Sequence, residues 1–132
     1  MADWFGINNI FCSQNSVDVF NEKVIQSTMG AICRTKTHYV DIKKLLNTFS
    51  LNNNFPIYGT FLEGDNIYSE NLSNKGFIIM GNESNGISTD IGHLVNKKIF
   101  IPNFPADVKT SESLNISVAT AIVCSEFRRK IF

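Results

Sequence analysis

The sequence predicts an α/β domain with a mainly parallel sheet. Short apolar strand candidates alternate with amphipathic helical patterns along the 132 residues, the order that strand–helix–strand units produce. Gly76-Phe77-Ile78-Ile79-Met80 is a nearly continuous apolar run, as suits a parallel strand covered on both faces. The hydrophobic fraction is 43% and the charged fraction 18%, which is enough to fill a core and too apolar for a disordered chain. No internal repeat, low-complexity segment or linker interrupts the chain, so residues 1–132 are read as one domain.

Each element has a local reason. Met1-Ala2-Asp3-Trp4-Phe5-Gly6 reads as the last turn of a helix with Gly6 at its C-terminal cap, so the chain is expected to begin partway through a longer domain. Ile10-Phe11-Cys12, within Ile7 to Ser13, is expected as a short buried strand. Asn15-Ser16 turns the chain. Val19 to Ala31 has helical spacing, with Val19, Phe20, Val24, Ile25 and Thr28 near one face. Thr37 to Val40 is a brief strand. Asp41 can cap the next helix, which should bury Ile42, Leu45, Leu46 and Phe49. Asn52-Asn53-Asn54 is a loop. Pro56 to Leu62 is a strand, expected to end at Glu63-Gly64-Asp65, and a polar loop runs on to Lys75. Beyond the Phe77–Met80 run, Ser88-Thr89-Asp90 can cap a short helix through Val95. Lys98 to Ile101 is the next strand. Ser113 to about Phe132 is the longest helix, capped by Ser113, with Leu114, Val118, Ala119, Ile122 and Val123 as its buried stripe.

Composition narrows the function. Lysine plus arginine is 12 and aspartate plus glutamate is 12, so no strong basic field advertises a polyanion. Any grip on nucleic acid must come from local patches, a second subunit or another domain. Cys12, Cys33 and Cys124 form no Cys-x-x-Cys pair. They are read as buried thiols in a reducing cytoplasm rather than a disulfide framework or zinc site. No apolar run approaches the ~20 residues that span a bilayer, and no basic leader precedes an apolar segment. His38 and His93 have no acid–base or metal constellation around them in sequence and are read as surface or packing residues. Trp4 and Phe5 are read as core before base-stacking residues. Arg128-Arg129-Lys130 could touch phosphates or complement a helix C-terminus. Phe127, Ile131 and Phe132 could pack at a subunit interface.

Three loops carry the functional signal. Gly81-Asn82-Glu83-Ser84-Asn85-Gly86 follows the Phe77–Met80 strand. Its glycines allow close backbone approach and positive φ. It is not a phosphate loop, because the Gly-x-x-x-x-Gly-Lys-Ser/Thr order is absent. Ile101-Pro102-Asn103-Phe104-Pro105 is stiffened by two prolines and could offer main-chain groups to a flat base. Ser111-Glu112-Ser113-Leu114-Asn115-Ile116-Ser117 opens the last helix, where free N–H groups can hold a polar ligand. Each alone also reads as a plain turn, connection or cap. In open α/β sheets, though, ligands bind beyond the carboxyl ends of the strands, which is where these loops fall.

The order of the segments resembles a family pattern. Ile-Ile-Met-Gly-Asn-Glu-x-x-Gly-Ile, then Ile-Pro-Asn, then Ser-Glu-Ser-Leu-Asn-Ile-Ser-Val-Ala-Thr-Ala-Ile is similar to the second and third motifs of the SpoU/TrmH family. These are SPOUT-class RNA 2′-O-ribose methyltransferases that use S-adenosyl-L-methionine. Ala2 to Gly6 resembles the tail of the first motif, and Lys23 to Ala31 the segment after it, so nearly the whole chain is covered. The resemblance implies an α/β fold with a C-terminal trefoil knot, which general topology would not predict. It also implies a homodimer acting in the cytoplasm on rRNA or tRNA, with no metal and no membrane.

By position, the resemblance puts Gly81, Ile101 and Leu114, and more weakly Thr60, at the cofactor. It puts Glu83, Ser113 and Asn115 around the reacting groups as the catalytic candidates. Proton removal in this family is linked to an arginine in the first motif, Asn-x-Gly-x-x-x-Arg-x-Ala. Met1 stands where the residue between Arg and Ala falls, so the Asn, Gly and Arg are not in this chain, nor is the family's first strand. Arg34, Arg128 and Arg129 lie outside the motif context. The chain as it stands is therefore expected to be inactive or slow. The alternative reading is a non-catalytic knotted scaffold or RNA-binding module. A generic nucleotide-binding domain is the poorer fit, for want of a phosphate loop or Gly-x-Gly-x-x-Gly.

Overall fold

Among the described residues, five strands form two parallel sheets. In the first, Asn9–Cys12 (β1) pairs with Lys36–Tyr39 (β2); in the second, Phe77–Ile79 (β4) and Lys97–Phe100 (β5) flank Ile57–Asn66 (β3). The helices are Glu22–Thr28 (α1), Ile42–Ser50 (α2), Thr89–Gly92 (α3) and Ile116–Arg129 (α4). A computed structural model of the chain describes residues 1–51, 55–105 and 113–129. Asn52 to Asn54, Ser111, Glu112, Lys130, Ile131 and Phe132, to which the sequence reading gave roles, lie outside the described residues.

The opening turn has the expected geometry. Gly6 sits at φ 65°. Its N–H bonds Asp3 O at 3.1 Å and that of Ile7 bonds Ala2 O at 2.8 Å, the crossed pattern of a Schellman turn. Arg128 closes the turn from the far end of the chain, donating Nε to Phe5 O at 2.6 Å and Nη2 to Gly6 O at 3.1 Å. Trp4 is 86% exposed and has no core role.

Two N-terminal expectations change. β1 is a strand, but Asn9, Ile10 and Phe11 are exposed rather than buried. The helix predicted over Val19 to Ala31 shrinks to α1. The Tyr39 hydroxyl accepts the Val19 N–H at 2.6 Å and donates to Val17 O at 2.8 Å, which holds those residues outside a helix. Asn21 then caps α1 through the Lys23 N–H, and Met29 ends it in the left-handed region at φ 50°. The α2 reading holds. Asp41 accepts the Lys44 N–H at 3.0 Å, and Leu46 is buried with Ile42, Leu45 and Phe49 partly covered.

The core lies mainly in the region from β3 to α4. Tyr58, Ile67, Leu72, Ile99 and Val123 form one buried cluster, with Ile78, Ile101 and Phe127 packed against it. Phe127 meets Tyr58 edge-on at 4.8 Å between centroids, so it serves the core. Ile67 and Leu72 come from the stretch read as a polar loop. They are drawn in because the Tyr58 hydroxyl accepts the Ser73 N–H at 2.9 Å, which satisfies a buried phenol. β3 does not stop at Glu63-Gly64-Asp65. It bulges between Thr60 and Asp65 and returns to pair with β5, both residues lying opposite Ile99. α4 starts later than expected and buries Val123, Cys124 and Glu126, while Leu114 and Val118 are about half exposed. Cys33 is exposed, against the expectation of buried thiols.

Candidate active site

The loop after β4 is a closed, rigid turn. Asn82 and Gly86 exchange main-chain hydrogen bonds at 2.9 and 2.8 Å. The Asn82 Oδ1 accepts the N–H groups of Ser84 at 2.8 Å and Asn85 at 3.4 Å, an Asx turn. Gly86 takes φ 63°. A Cβ at Gly81 would lie 2.4 Å from the Gly86 carbonyl carbon and 2.7 Å from Ile87 N. The glycine at 81 is therefore required by the loop's own backbone. Asn82, to which the sequence reading gave no role, organises the loop. Its signal was an asparagine just before a turn closed by glycine.

Glu83 ties this loop to α4. Its Oε1 accepts the Asn115 Nδ2 at 3.0 Å and the Ile116 N–H at 3.4 Å. Asn115 in turn accepts the Ser117 N–H on Oδ1 at 2.9 Å and the Ala119 N–H on its carbonyl at 2.9 Å. Asn115, not Ser113, is therefore the N-cap. A carboxylate beside the first N–H groups of a helix is electrostatically favoured. Glu83 and Asn115 are thus in direct contact. Ser113 is exposed just before them.

The remaining candidates are held to different degrees. Thr60 donates its hydroxyl to Ile79 O at 3.2 Å and contacts Met80 Sδ at 3.7 Å, fastening β3 to the residues that lead into Gly81. Ile101 leans on the core. Leu114 is 47% exposed. In the loop after β5, the Asn103 amide donates to Pro105 O at 3.3 Å.

The three arginines are committed to structure. Arg34 grips Asp3 with Nε and Nη2 at 2.7–3.0 Å, Arg128 holds the opening turn, and Arg129 pairs with buried Glu126 at 2.6 Å. Cys12 and Cys124 are pushed above the usual thiol range by burial, which disfavours thiolate chemistry. His38 stacks on Phe11 at 5.0 Å and pairs with the Asn9 side chain, a packing role. Among the described residues no cluster of three or more His, Cys, Asp or Glu could hold a metal. No described helix is long and apolar enough to cross a membrane.

The arrangement defines a class: a parallel α/β domain whose motif-bearing loops follow the two strands that flank β3 and lead into a helix. More particularly, the chain belongs to the SpoU rRNA methylase family, whose profile matches residues 1–125. It is 27% identical to the 23S rRNA (guanosine(2553)-2′-O)-methyltransferase RlmP of Bacillus subtilis, over 96% of this chain and 50% of that protein. It is 35% identical to a tRNA (guanosine(18)-2′-O)-methyltransferase of Aquifex aeolicus over 60% of this chain and 36% of that protein. Its fold superposes with a TM-score of 0.88 on a protein assigned to the TrmH family of RNA methyltransferases from Porphyromonas gingivalis. That protein is 36% identical, with 98% of this chain and 51% of the other covered. At 22% identity the SpoU methyltransferase AviRb of Streptomyces viridochromogenes, solved with AdoMet, shares the fold with a TM-score of 0.83, covering 98% of this chain and 53% of that one. The chain spans about half the length of the Bacillus subtilis and Porphyromonas gingivalis proteins.

Proposed function

We propose that this chain is the methyl-donor-binding part of an RNA 2′-O-ribose methyltransferase that uses S-adenosyl-L-methionine. The observation that carries the reading is the Glu83–Asn115 clasp, which brings the second and third family motifs together. The donor set suits the cofactor's chemistry. A neutral adenine calls for apolar flanks and main-chain groups, and Ile101 and Leu114 stand at the loops that offer both. When bound, the cofactor supplies an activated methyl group on a sulfonium. The chain's own task is alignment: the Asx turn and the clasp fix the two loops before any ligand arrives, which lowers the ordering cost of an in-line displacement. In that step a bond forms from the ribose oxygen to the methyl carbon as the carbon–sulfur bond breaks, and the hydroxyl proton passes to a base. Glu83 and Asn115 serve as positioning residues through the clasp, and Ser113 is the free hydroxyl of the set.

The wider reading follows the family: an rRNA or tRNA substrate, a homodimer, a knotted C-terminal segment and a cytoplasmic setting. A second reading, a non-catalytic module, is favoured by one observation: Arg34, Arg128 and Arg129 each hold groups of this chain, which leaves no arginine at the clasp. Calorimetric titration of the folded chain with S-adenosylmethionine and its demethylated product tests the donor site. Binding by either is expected, and none at millimolar cofactor overturns it. Without the first-motif arginine this chain is expected to transfer labelled methyl to total RNA slowly or not at all, so transfer at any rate excludes the second reading and its absence leaves donor binding to decide.

A further inference from the structure

Phe104 is 93% exposed, so it adds nothing to the core against which Ile101, on the same loop, is packed. Leaving an aromatic side chain in water forgoes the gain of burying it, yet the backbone that carries this one is kept in order. Pro102 and Pro105 bracket it with fixed φ, and Asn103 donates its amide to Pro105 O at 3.3 Å. The strands decide where the ring stands. Gly59 lies opposite Ile79 and Thr60 opposite Ile99, so the parallel strands β4 and β5 end at nearly one level on either side of β3. Two strand spacings, about 9.6 Å, separate the start of the Phe104 loop from the start of the loop that holds Gly81 and Glu83. Trp4 and Phe20 are exposed as well, but they belong to the opening turn and to the approach to α1, which carry no candidate site residue.

We infer that Phe104 is a substrate-positioning residue: its ring stacks on an unpaired base of the RNA and so places the strand whose ribose is methylated. The inference rests on the methyltransferase reading proposed above. The chain's net charge is zero, so it has no broad basic field with which to hold phosphates. Stacking gives a neutral surface a grip, because every base has a π-face that an aromatic ring can cover. RNA is read mostly in loops, bulges and single strands, where bases splay out onto aromatic side chains. A ring presented beside the donor loops, on a backbone ordered in advance, takes such a base at low entropic cost. The ring itself moves no proton and no methyl group.

The test is fluorescence anisotropy of a labelled, unstructured RNA oligonucleotide of mixed sequence, and of its duplex, titrated with the whole chain at low and raised salt. The parent is expected to prefer the unpaired strand. Phe104→Ala, checked for retained fold by circular dichroism, should bind that strand about tenfold more weakly, with the parent's salt slope, because no phosphate contact is lost. Phe104→Leu keeps apolar bulk without a π-face and should fall with it. Phe104→Trp should keep the affinity, and in a Trp4→Phe background its emission should be quenched by the oligonucleotide. No binding of unpaired RNA by the parent, parent-like affinity in Phe104→Ala or Phe104→Leu, or an equal loss on the duplex overturns the inference. So does weaker self-association of Phe104→Ala at unchanged RNA affinity, which would assign the ring to an interface between copies. Weaker S-adenosylhomocysteine binding at unchanged RNA affinity would assign it to the donor site and also overturn it. Donor titration of the parent keeps the two claims apart: a bound donor with RNA affinity indifferent to Phe104 sinks this inference alone, whereas no bound donor sinks the donor site whatever Phe104 does.

Discussion

Residues 1–40 and the region from β3 to α4 are built on different principles. The second holds the buried cluster of Tyr58, Ile67, Leu72, Ile99 and Val123. The first contains no buried residue, and Val17, Phe20 and Met29 are 66–91% exposed. It is fastened by directed polar contacts: Tyr39 to Val17 and Val19, Arg34 to Asp3, Arg128 to Phe5 and Gly6. Apolar burial is the main stabilising term and scales with covered area. The β3–α4 region therefore sets the global stability, while the β1–β2 layer opens locally at lower cost.

The sharpest way to break this comparison is truncation in each layer. Ile99→Ala, at 1% exposure, should cost about 2–5 kcal/mol. Ile10→Ala, at 38% exposure, should cost less than about 1 kcal/mol. Urea midpoints at unchanged slope measure both. Equal losses would mean that the exposed sheet contributes to global stability as the core does.

The layers also differed in how far they could be read from sequence. α2 was legible because an aspartate cap and a helical apolar period coincide at Asp41–Phe49. β4 was legible as a parallel strand from its unbroken apolar run. Of the loop residues that their order singles out, Glu83 and Asn115 meet. What stayed hidden depends on contacts distant in sequence. Tyr39 shortens α1 from about 20 residues away, and Tyr58 draws Ile67 and Leu72 into the core. The bulge that carries β3 past Gly64 requires β5 to pair with. Local propensity reads none of these.

Gly81→Ala probes the tight half where it meets the site. The added Cβ would lie 2.4 Å from backbone, and backbone cannot swing aside as a side-chain tip can. The expected loss is about 1–3 kcal/mol, together with weaker S-adenosylhomocysteine binding by calorimetry. A stable variant with unchanged affinity would show slack in the loop and remove the argument for its pre-ordering.

Glu83→Ala should cost about 1 kcal/mol, the usual scale for losing a helix N-terminal partner. The loss should be localised, with faster amide exchange at Ile116 and Ser117 and in 82–86, while the amides of β3 are unchanged. Glu83→Gln keeps an acceptor for the Asn115 amide and should restore most of the order. If Glu83→Gln is as damaging as Glu83→Ala, charge rather than the clasp geometry matters there.

The smallest effect tests the other half. The Arg34 hydrogen bond, together with its charge, holds the Asp3 carboxyl below its ordinary pKa of 3.8. A folded pKa below the unfolded one gives a contribution that is fully present above the unfolded value and is lost as pH falls through the folded one. Arg34 is exposed and Asp3 only partly covered, so the pair is screened and worth little in global stability. Asp3→Asn should therefore leave the urea midpoint almost unchanged. At neutral pH it should speed amide exchange in the opening turn, at Gly6 and Ile7. Well below pH 3.8 the variant and the parent should exchange alike, once intrinsic rates are allowed for, and raised salt at neutral pH should narrow the gap in the same direction. No difference at neutral pH would mean that the Arg128 contacts hold the turn without help from Asp3, and a difference that persists in acid would mean that the Asp3 side chain acts through something other than its charge.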